Sequence, residues 1–214
     1  MLTRKPLRAV LFDWDGTLLD SFRADANAYA GMFRSLGMRW TPESLVRHYS
    51  PDWHNVYRAM RLPVERWPEA DRLWRLFYRS ERPLLQPGAR QVLQALTHRF
   101  RLGLVSGGSK LRVRSQIRKF GLGSLFEVSV FGDEAPRRKP HPLQLQIALG
   151  KLGLEPACCI YVGDTPEDVK MARRAGVPVV GVVDHSPIPQ GLREARPDAL
   201  IKTIGALPGL LWRR

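Results

Sequence analysis

A chain of 214 residues, 44% hydrophobic and 25% charged, can bury a substantial core as one domain or as one domain carrying an insertion, and its composition is that of a soluble globular protein. It has no apolar stretch long enough to span a bilayer, and Met1–Arg8 is short and basic without a signal-peptide core, so the cytoplasm is the expected compartment and no membrane partner is expected. Its two cysteines, Cys158 and Cys159, are adjacent and suit small buried side chains better than a disulfide or a structural zinc site, while the formal net charge of +14 calls for an anionic substrate, a nucleic acid or an acidic surface.

The first apolar run, Ala9–Phe12, reads as a strand and breaks off into "DWDG". Strand alternation puts residues i and i+2 on one side, so Asp13 and Asp15 can face one point if the extended backbone persists past Phe12. Two carboxylates so close fit a nearby cation, a protonated member of the pair, or a plain solvated turn. Asp15-Gly16 alone is also a hairpin signal, but no returning strand follows. Beyond Phe22 the apolar residues Ala26, Tyr29, Ala30, Phe33 and Leu36 keep the period of a helix, so the acidic loop joins a strand to a helix.

From Ser21 to about Arg82 the pattern stays helical, broken at Gly37, Thr41-Pro42, Ser50-Pro51 and Pro63. Thr41-Pro42 has the form of an N-cap followed by proline at the first helical position, and Val64–Tyr78 carries Trp67, Ala70, Leu73, Trp74 and Phe77 on one face. Residues 21–82 are therefore expected to form an all-helical cap inserted into a core made of 1–20 and 83–214.

In the rest of the chain, helical patterns (Ala89–Thr97, Lys110–Phe120, Pro142–Leu152, Pro166–Ala175) alternate with strand candidates (Leu102–Val105, Val128–Phe131, Cys159–Val162, Val177–Val183 and a weaker Ala199–Ile201). This alternation predicts an α/β fold: a Rossmann-like parallel sheet with helices on both faces. Ligands of such sheets bind beyond the carboxyl ends of the strands.

Three of those ends carry polar groups. "SGGSK" offers the Ser106 hydroxyl and the amides of Gly107 and Gly108, as a phosphate cradle or a glycine turn. "RRKPHP" places Lys139 in a proline-restricted loop, where a lysine is commonly just solvated. "GDTPEDV" brings Asp164 and Asp168 to the mouth of a helix, although an acid in the first turn also complements the helix dipole. Taken together, Asp13 and Asp164 supply oxygen ligands for a hard divalent cation such as Mg²⁺, and Ser106, Lys139 and the glycine amides supply donors for an anion.

"DWDGTLLDS", "VSGGS", "KPHP" and "GDTPEDVKMARRAG" resemble, in order and spacing, the four motifs of the haloacid dehalogenase superfamily, in the branch with a helical cap that includes phosphoglycolate phosphatase. The resemblance runs from Leu7 to about Ile201. It implies a Mg²⁺-dependent phosphatase acting on a small phosphorylated metabolite, phosphoglycolate-like or a sugar phosphate. Asp13 would be the nucleophile that forms an aspartyl-phosphate and Asp15 the general acid/base. It further implies that Asp13, the backbone carbonyl of Asp15, and Asp164 bind Mg²⁺ with Asp168 in support, and that Ser106, Gly107 and Lys139 hold the phosphoryl oxygens. A carboxylate about 4 Å from a phosphate dianion meets roughly 8 kcal/mol of repulsion at an effective dielectric near 20, which Mg²⁺ and Lys139 must cancel.

Two departures from the family pattern stand out. Gly107 occupies a place where the family often has asparagine, which removes a side-chain anchor. Asp25 occupies the place of a cap histidine usual in the related phosphomutases, which weighs against the mutase alternative, while Asp15 favours phosphoryl transfer over dehalogenation.

A rival of another class is a nucleic-acid binder built on the basic run between Arg99 and Phe126, which includes Arg101, Lys110, Arg112, Arg114, Arg118 and Lys119 and no acid. The intact set Asp13, Asp15, Lys139 and Asp164 argues against it. Leaving-group choice is expected from Arg47, His48, Tyr49 and Ser50 in the cap, against the plainer reading that Tyr49, Trp53, Val56, Tyr57 and Met60 are the cap's own core. The chain is expected to act as a monomer or homodimer.

Overall fold

The computed structural model describes residues 5–212, so residues 1–4 of the basic stretch Met1–Arg8 lie outside the described residues. In chain order the elements are β1 (Ala9–Phe12), β2 (Leu19–Asp20), α1 (Phe22–Ser35), α2 (Pro42–His48), α3 (Trp53–Ala59), α4 (Trp67–Tyr78), β3 (Leu84–Leu85) and α5 (Ala89–Thr97). They continue with β4 (Arg101–Val105), α6 (Lys110–Lys119), β5 (Val128–Val130), α7 (Leu143–Leu152), β6 (Cys159–Gly163), α8 (Pro166–Arg174), β7 (Val179–Val182), α9 (Pro189–Glu194), β8 (Ala199–Ile201) and α10 (Leu207–Trp212). The chain divides into two compact units, one made of the residues up to Leu19 and from Leu85 on, the other Asp20–Leu84.

The first unit is an α/β layer structure. Six strands in the order β5-β4-β1-β6-β7-β8 form one parallel sheet, with Phe12 level with Leu104 on one side and Val162 on the other. Alternation sorts the strand residues onto two cores. Val10 and Phe12 of β1 join Leu102, Leu104, Ile160 and Val162 under α5, α6 and α10 through Leu93, Leu96, Val113, Ile117 and Leu207. Ala9 and Leu11 join Val105, Cys159, Tyr161 and Val179 under α7, α8 and α9 through Leu145, Leu149, Val169, Ala172 and Leu192. With both faces covered, the strands have no solvent side, which explains why β1, β6 and β7 are buried at every residue.

β7 is shorter than the apolar run Val177–Val183. It begins only after Pro178, which has no amide to give a ladder, although the Pro178 carbonyl still accepts from the Tyr161 amide at 2.9 Å. α8 starts where the sequence puts its signals. Thr165 is the N-cap, Pro166 the first helical residue, and Thr165 with Asp168 closes a reciprocal capping box.

The second unit is helical, α1 to α4 with one 3₁₀ turn at Val64–Arg66. Its core gathers Tyr29, Met32, Phe33, Leu45, Val56, Tyr57, Leu62 and Ala70, with the Trp40 ring 4.6 Å from that of Phe33 and Trp67 stacked on His54. Tyr49, Trp53 and Met60 pack partly buried against the same core. Among the described residues no helix is long and apolar enough to cross a membrane.

Candidate active site

The site is built where the central strands run out. Asp13 is the first residue beyond β1, and its amide still donates to Val162 O at 2.9 Å, so the ladder with β6 fixes its backbone. The extended path then stops. Trp14 O accepts from the amides of both Leu18 and Leu19 at 2.9 Å, and Gly16 turns the chain at φ +78°. Because the backbone bends here, the two aspartates are not held as strand neighbours, and each carboxylate meets a different cation.

Asp13 is only 6% exposed, and its Oδ1 lies 2.7 Å from Lys139 Nζ. The same ammonium is 2.8 Å from Asp168 Oδ1 and donates to the Tyr161 hydroxyl at 2.8 Å. Lys139 thus gives one hydrogen bond to the hydroxyl and sits in close ion pairs with the two carboxylates. Lys139 is buried, so the solvated-lysine reading of "RRKPHP" does not hold. Tyr161, in the middle of β6, accepts from Lys139 and lies 3.0 Å from Asp168 Oδ1 and 3.1 Å from Val105 O, either of which can take its single proton.

Asp168 serves two purposes. Its Oδ2 accepts from the Thr165 amide at 3.1 Å and the Thr165 hydroxyl at 2.7 Å, the helix-capping role, while Oδ1 faces Lys139. Asp164 follows β6. Its Oδ1 accepts from the Thr17 hydroxyl at 2.8 Å, and its buried Oδ2 has no hydrogen-bond partner. A Cβ at position 16 would fall 2.2 Å from that Oδ2, so glycine is needed there for space as well as for its backbone angle.

Asp13, Asp164 and Asp168 each offer a carboxylate oxygen, and these oxygens lie within 4.8 Å of one another. Three buried carboxylates share one ammonium, so charge in the cluster is not balanced. Burial pushes the Asp13 carboxyl up to about 7, against the pull of Lys139 and with a further push from Asp168. Burial raises Asp164 well above the carboxylate range, with Asp168 and Asp13 adding to it. An orphaned oxygen on Asp164 and an excess of buried negative charge are what a hard divalent cation with oxygen ligands would relieve, and the donor set fits such an ion.

Ser106 follows β4 and is buried. Its amide donates to Val130 O at 3.0 Å, and its hydroxyl accepts from the Gly108 amide at 3.0 Å. Gln144 on α7 holds the Ser106 carbonyl from behind, at 3.0 Å. Asp15 pairs with Arg112 on α6. Arg47 and His48 end α2, Tyr49 follows, and the Ser50 hydroxyl accepts from the amide of Asp52 and the side-chain amide of Asn55. These four lie in the helical unit, and the remaining predicted site residues lie in the α/β unit.

Tyr161, Thr17 and Arg112 were not foreseen as parts of the site. A tyrosine in an otherwise apolar strand is a usable sign, because a buried hydroxyl has to find a partner. The basic run around Arg112 is also less free than its sequence suggests: Arg101 pairs with Glu127, Lys110 with Glu134 at 2.6 Å and Arg112 with Asp15 at 2.7 Å. Acids remote in sequence neutralise part of what a nucleic-acid binder would present.

A parallel α/β sheet with a buried carboxylate just past its first strand, and an acidic cluster over the neighbouring strand ends, has the architecture of haloacid dehalogenase-type hydrolases. The sequence profile of the haloacid dehalogenase-like hydrolases matches residues 10–182, and the chain belongs to that family. It is 31% identical to a phosphoglycolate phosphatase of Neisseria gonorrhoeae, covering 94% of this chain and 91% of that protein. It is 27% identical to the pyrophosphatase PpaX of Bacillus pumilus, covering 96% and 97%. A haloacid dehalogenase-like hydrolase from Streptococcus pneumoniae shares the fold, with a TM-score of 0.84 at 22% identity over 97% of this chain and 99% of that one. The chain is an enzyme of the phosphatase class.

Proposed function

We propose that this chain is a Mg²⁺-dependent phosphatase of a small phosphorylated metabolite, phosphoglycolate-like or a sugar phosphate, working through an aspartyl-phosphate on Asp13. The observation that carries this reading is the division of the two aspartates: Asp13 is bound into the buried acidic cluster by Lys139, and Asp15 stands at the rim on Arg112. One carboxylate cannot be an anionic nucleophile and a proton donor at once, and two carboxyls with different partners allow each to take one task once Mg²⁺ favours the anion at Asp13.

Asp13 Oδ attacks phosphorus as the bond to the leaving oxygen breaks, and Asp15 gives that oxygen its proton, so an alcohol departs. Water then attacks the phosphoryl group and passes a proton to Asp15. The bond from phosphorus to the Asp13 oxygen breaks, which releases inorganic phosphate and returns both carboxyls to their starting states. Ser106, the Gly107 amide and Lys139 hold the phosphoryl oxygens, with Lys139 trading a contact within the cluster for one to substrate. Asp13, Asp164 and the backbone carbonyl of Asp15 would hold the metal, with Asp168 in support. When bound, Mg²⁺ supplies positive charge against the attacking carboxylate and the phosphoryl group. Choice among leaving groups is assigned to the helical unit, with Arg47, His48, Tyr49 and Ser50 as its candidates.

The test is free phosphate release from a panel of phosphorylated metabolites, combined with mass spectrometry of the peptide containing residue 13 after rapid acid quench. Turnover is expected with Mg²⁺, none in excess EDTA, and a phosphoryl group on Asp13. Full turnover by protein shown to be metal-free would overturn it.

A further inference from the structure

Arg112 lies early in α6 and closes on the loop after β1. Its Nη1 donates to Asp15 Oδ1 at 2.8 Å and its Nη2 to Asp15 Oδ2 at 2.7 Å, the parallel fork by which arginine grips a carboxylate. Space for the guanidinium exists because residue 108 is glycine. A Cβ there would fall 2.3 Å from Arg112 Nη2 and 2.8 Å from Val113 Cγ2. Gln116 Oε1 accepts from Arg112 Nη1 at 3.3 Å and from the indole of fully buried Trp14 at 2.9 Å, so α6 and the loop set the plane of the fork together. The pair is within reach of solutes: the side chains of Arg112 and Asp15 are 17% and 16% exposed.

This geometry bears on the substrate. The fork engages both oxygens of Asp15, and a carboxyl that serves a leaving group has to turn one of them away. A second anion that offers two oxygens to the same guanidinium would compete with Asp15 for it. We propose that Arg112 is a specificity-determining residue that exchanges Asp15 for a carboxylate or phosphate carried on the leaving half of the substrate. The enzyme would then favour phosphoryl compounds whose leaving group is itself an anion. The exchange is a change of partners: the substrate's anion takes the fork, and Asp15, released as a carboxylate, takes up a proton from water and turns toward the leaving oxygen. A neutral alkyl leaving group offers nothing to the fork and has to break the pair unaided. This inference rests on the phosphatase reading above.

The test compares kcat and KM for 2-phosphoglycolate, inorganic pyrophosphate and ethyl phosphate, all with Mg²⁺, in the unaltered chain, Arg112→Lys and Arg112→Gln. The unaltered chain should prefer at least one of the two anion-bearing compounds, and the order between them shows which anion the fork accepts. Arg112→Gln should shrink that preference by at least about tenfold, because a site built for a polar group discriminates strongly by its presence. KM for the anionic substrate should rise, and kcat/KM for ethyl phosphate should change by a smaller factor than that for the anionic substrate. Arg112→Lys, which keeps the charge without the fork, should fall between. A loss by the same factor for all three substrates, or an unmoved preference, would overturn the inference and leave the phosphatase reading intact. Absence of turnover of every phosphoryl compound by the unaltered chain would overturn both. If Arg112→Gln does not fold by circular dichroism, the preference in Arg112→Lys decides the question.

Discussion

Two cation–carboxylate sites stand at the same end of the sheet, and they are built on opposite principles. At Lys139 a compact ammonium is buried, sits between two carboxylates and a hydroxyl, and faces more negative charge than it can balance. At Arg112 a planar guanidinium meets a single carboxylate near the surface, two donors to two acceptors. The first site cannot relax into solvent, so its excess charge is relieved only by a proton or a further cation. The second lies within reach of solutes, so a competing anion can take the place of its carboxylate. The proposed reaction calls for one fixed nucleophile and one mobile carboxyl, and this contrast would supply them.

The largest expected effect comes from removing the fixed carboxylate. Asp13→Asn should lose all turnover and all phosphorylation at residue 13, because an amide is a poor nucleophile, and acid-quench mass spectrometry reads this directly. Asp15→Asn should lose about two to four decades in kcat, the usual scale for an acid/base group. Its loss should be smaller in the first step with p-nitrophenyl phosphate, whose leaving group needs little protonation, than with an alkyl phosphate. Equal losses by the two variants in phosphoenzyme formation, for both leaving groups, would erase the contrast between the sites.

Stability should separate the sites next. Lys139→Met strands Asp13 and Asp168 as buried carboxylates without their cation and should cost about 3–5 kcal/mol in urea unfolding, the scale for breaking a buried ion pair. Added Mg²⁺ should restore part of that loss by binding the folded state. Arg112→Gln should cost far less in the same measurement, since its pair is partly solvated. A similar cost at both positions would mean that burial does not distinguish them.

A pH slope is expected as well. Asp13 keeps its proton up to about 7 in the folded chain, against an ordinary value of 3.8 when unfolded. Between those values the folded state binds the extra proton, so stability in EDTA falls as pH rises through that window and levels off above it. Asp13→Asn should flatten the slope, and Mg²⁺, which favours the ionised carboxylate, should flatten it from the high-pH end. Urea midpoints at intervals from pH 4.5 to 8 in the two chains check both statements.

Much of this was legible in the sequence because the site is made of strand ends, and strand ends are where periodicity stops. Asp13, Ser106 and Asp164 could each be placed within a residue or two by the break from apolar run to polar loop. The helical segment showed itself by its different period. Pairing was not legible. Asp15 and Arg112 are joined by a helix packing back on the first loop, which one-dimensional spacing does not record, and within its own segment Arg112 was one cation among seven. Tyr161 was hidden for a related reason, since in a strand buried on both faces its ring reads as one more apolar residue and only the hydroxyl's reach to Lys139 sets it apart. The bend after Phe12 was missed because Gly16 acts through the close approach of Asp164, a residue in another part of the chain.

The place of β1 in the sheet also shapes how the chain is made. It precedes the other five strands of the sheet and is a central one, yet both neighbours, β4 and β6, are synthesised only after the whole helical segment has followed it. Until then β1 has neither ladder nor cover, and its apolar AVLF run is exposed on a nascent chain. Parallel pairing at such sequence separation is slow, because the loop-closure cost is met before any strand contact repays it. Asp13 is thus translated early but acquires its surroundings only when β6 docks, so a truncated or stalled product ending before Cys159 holds Asp13 without the strand that fixes its backbone.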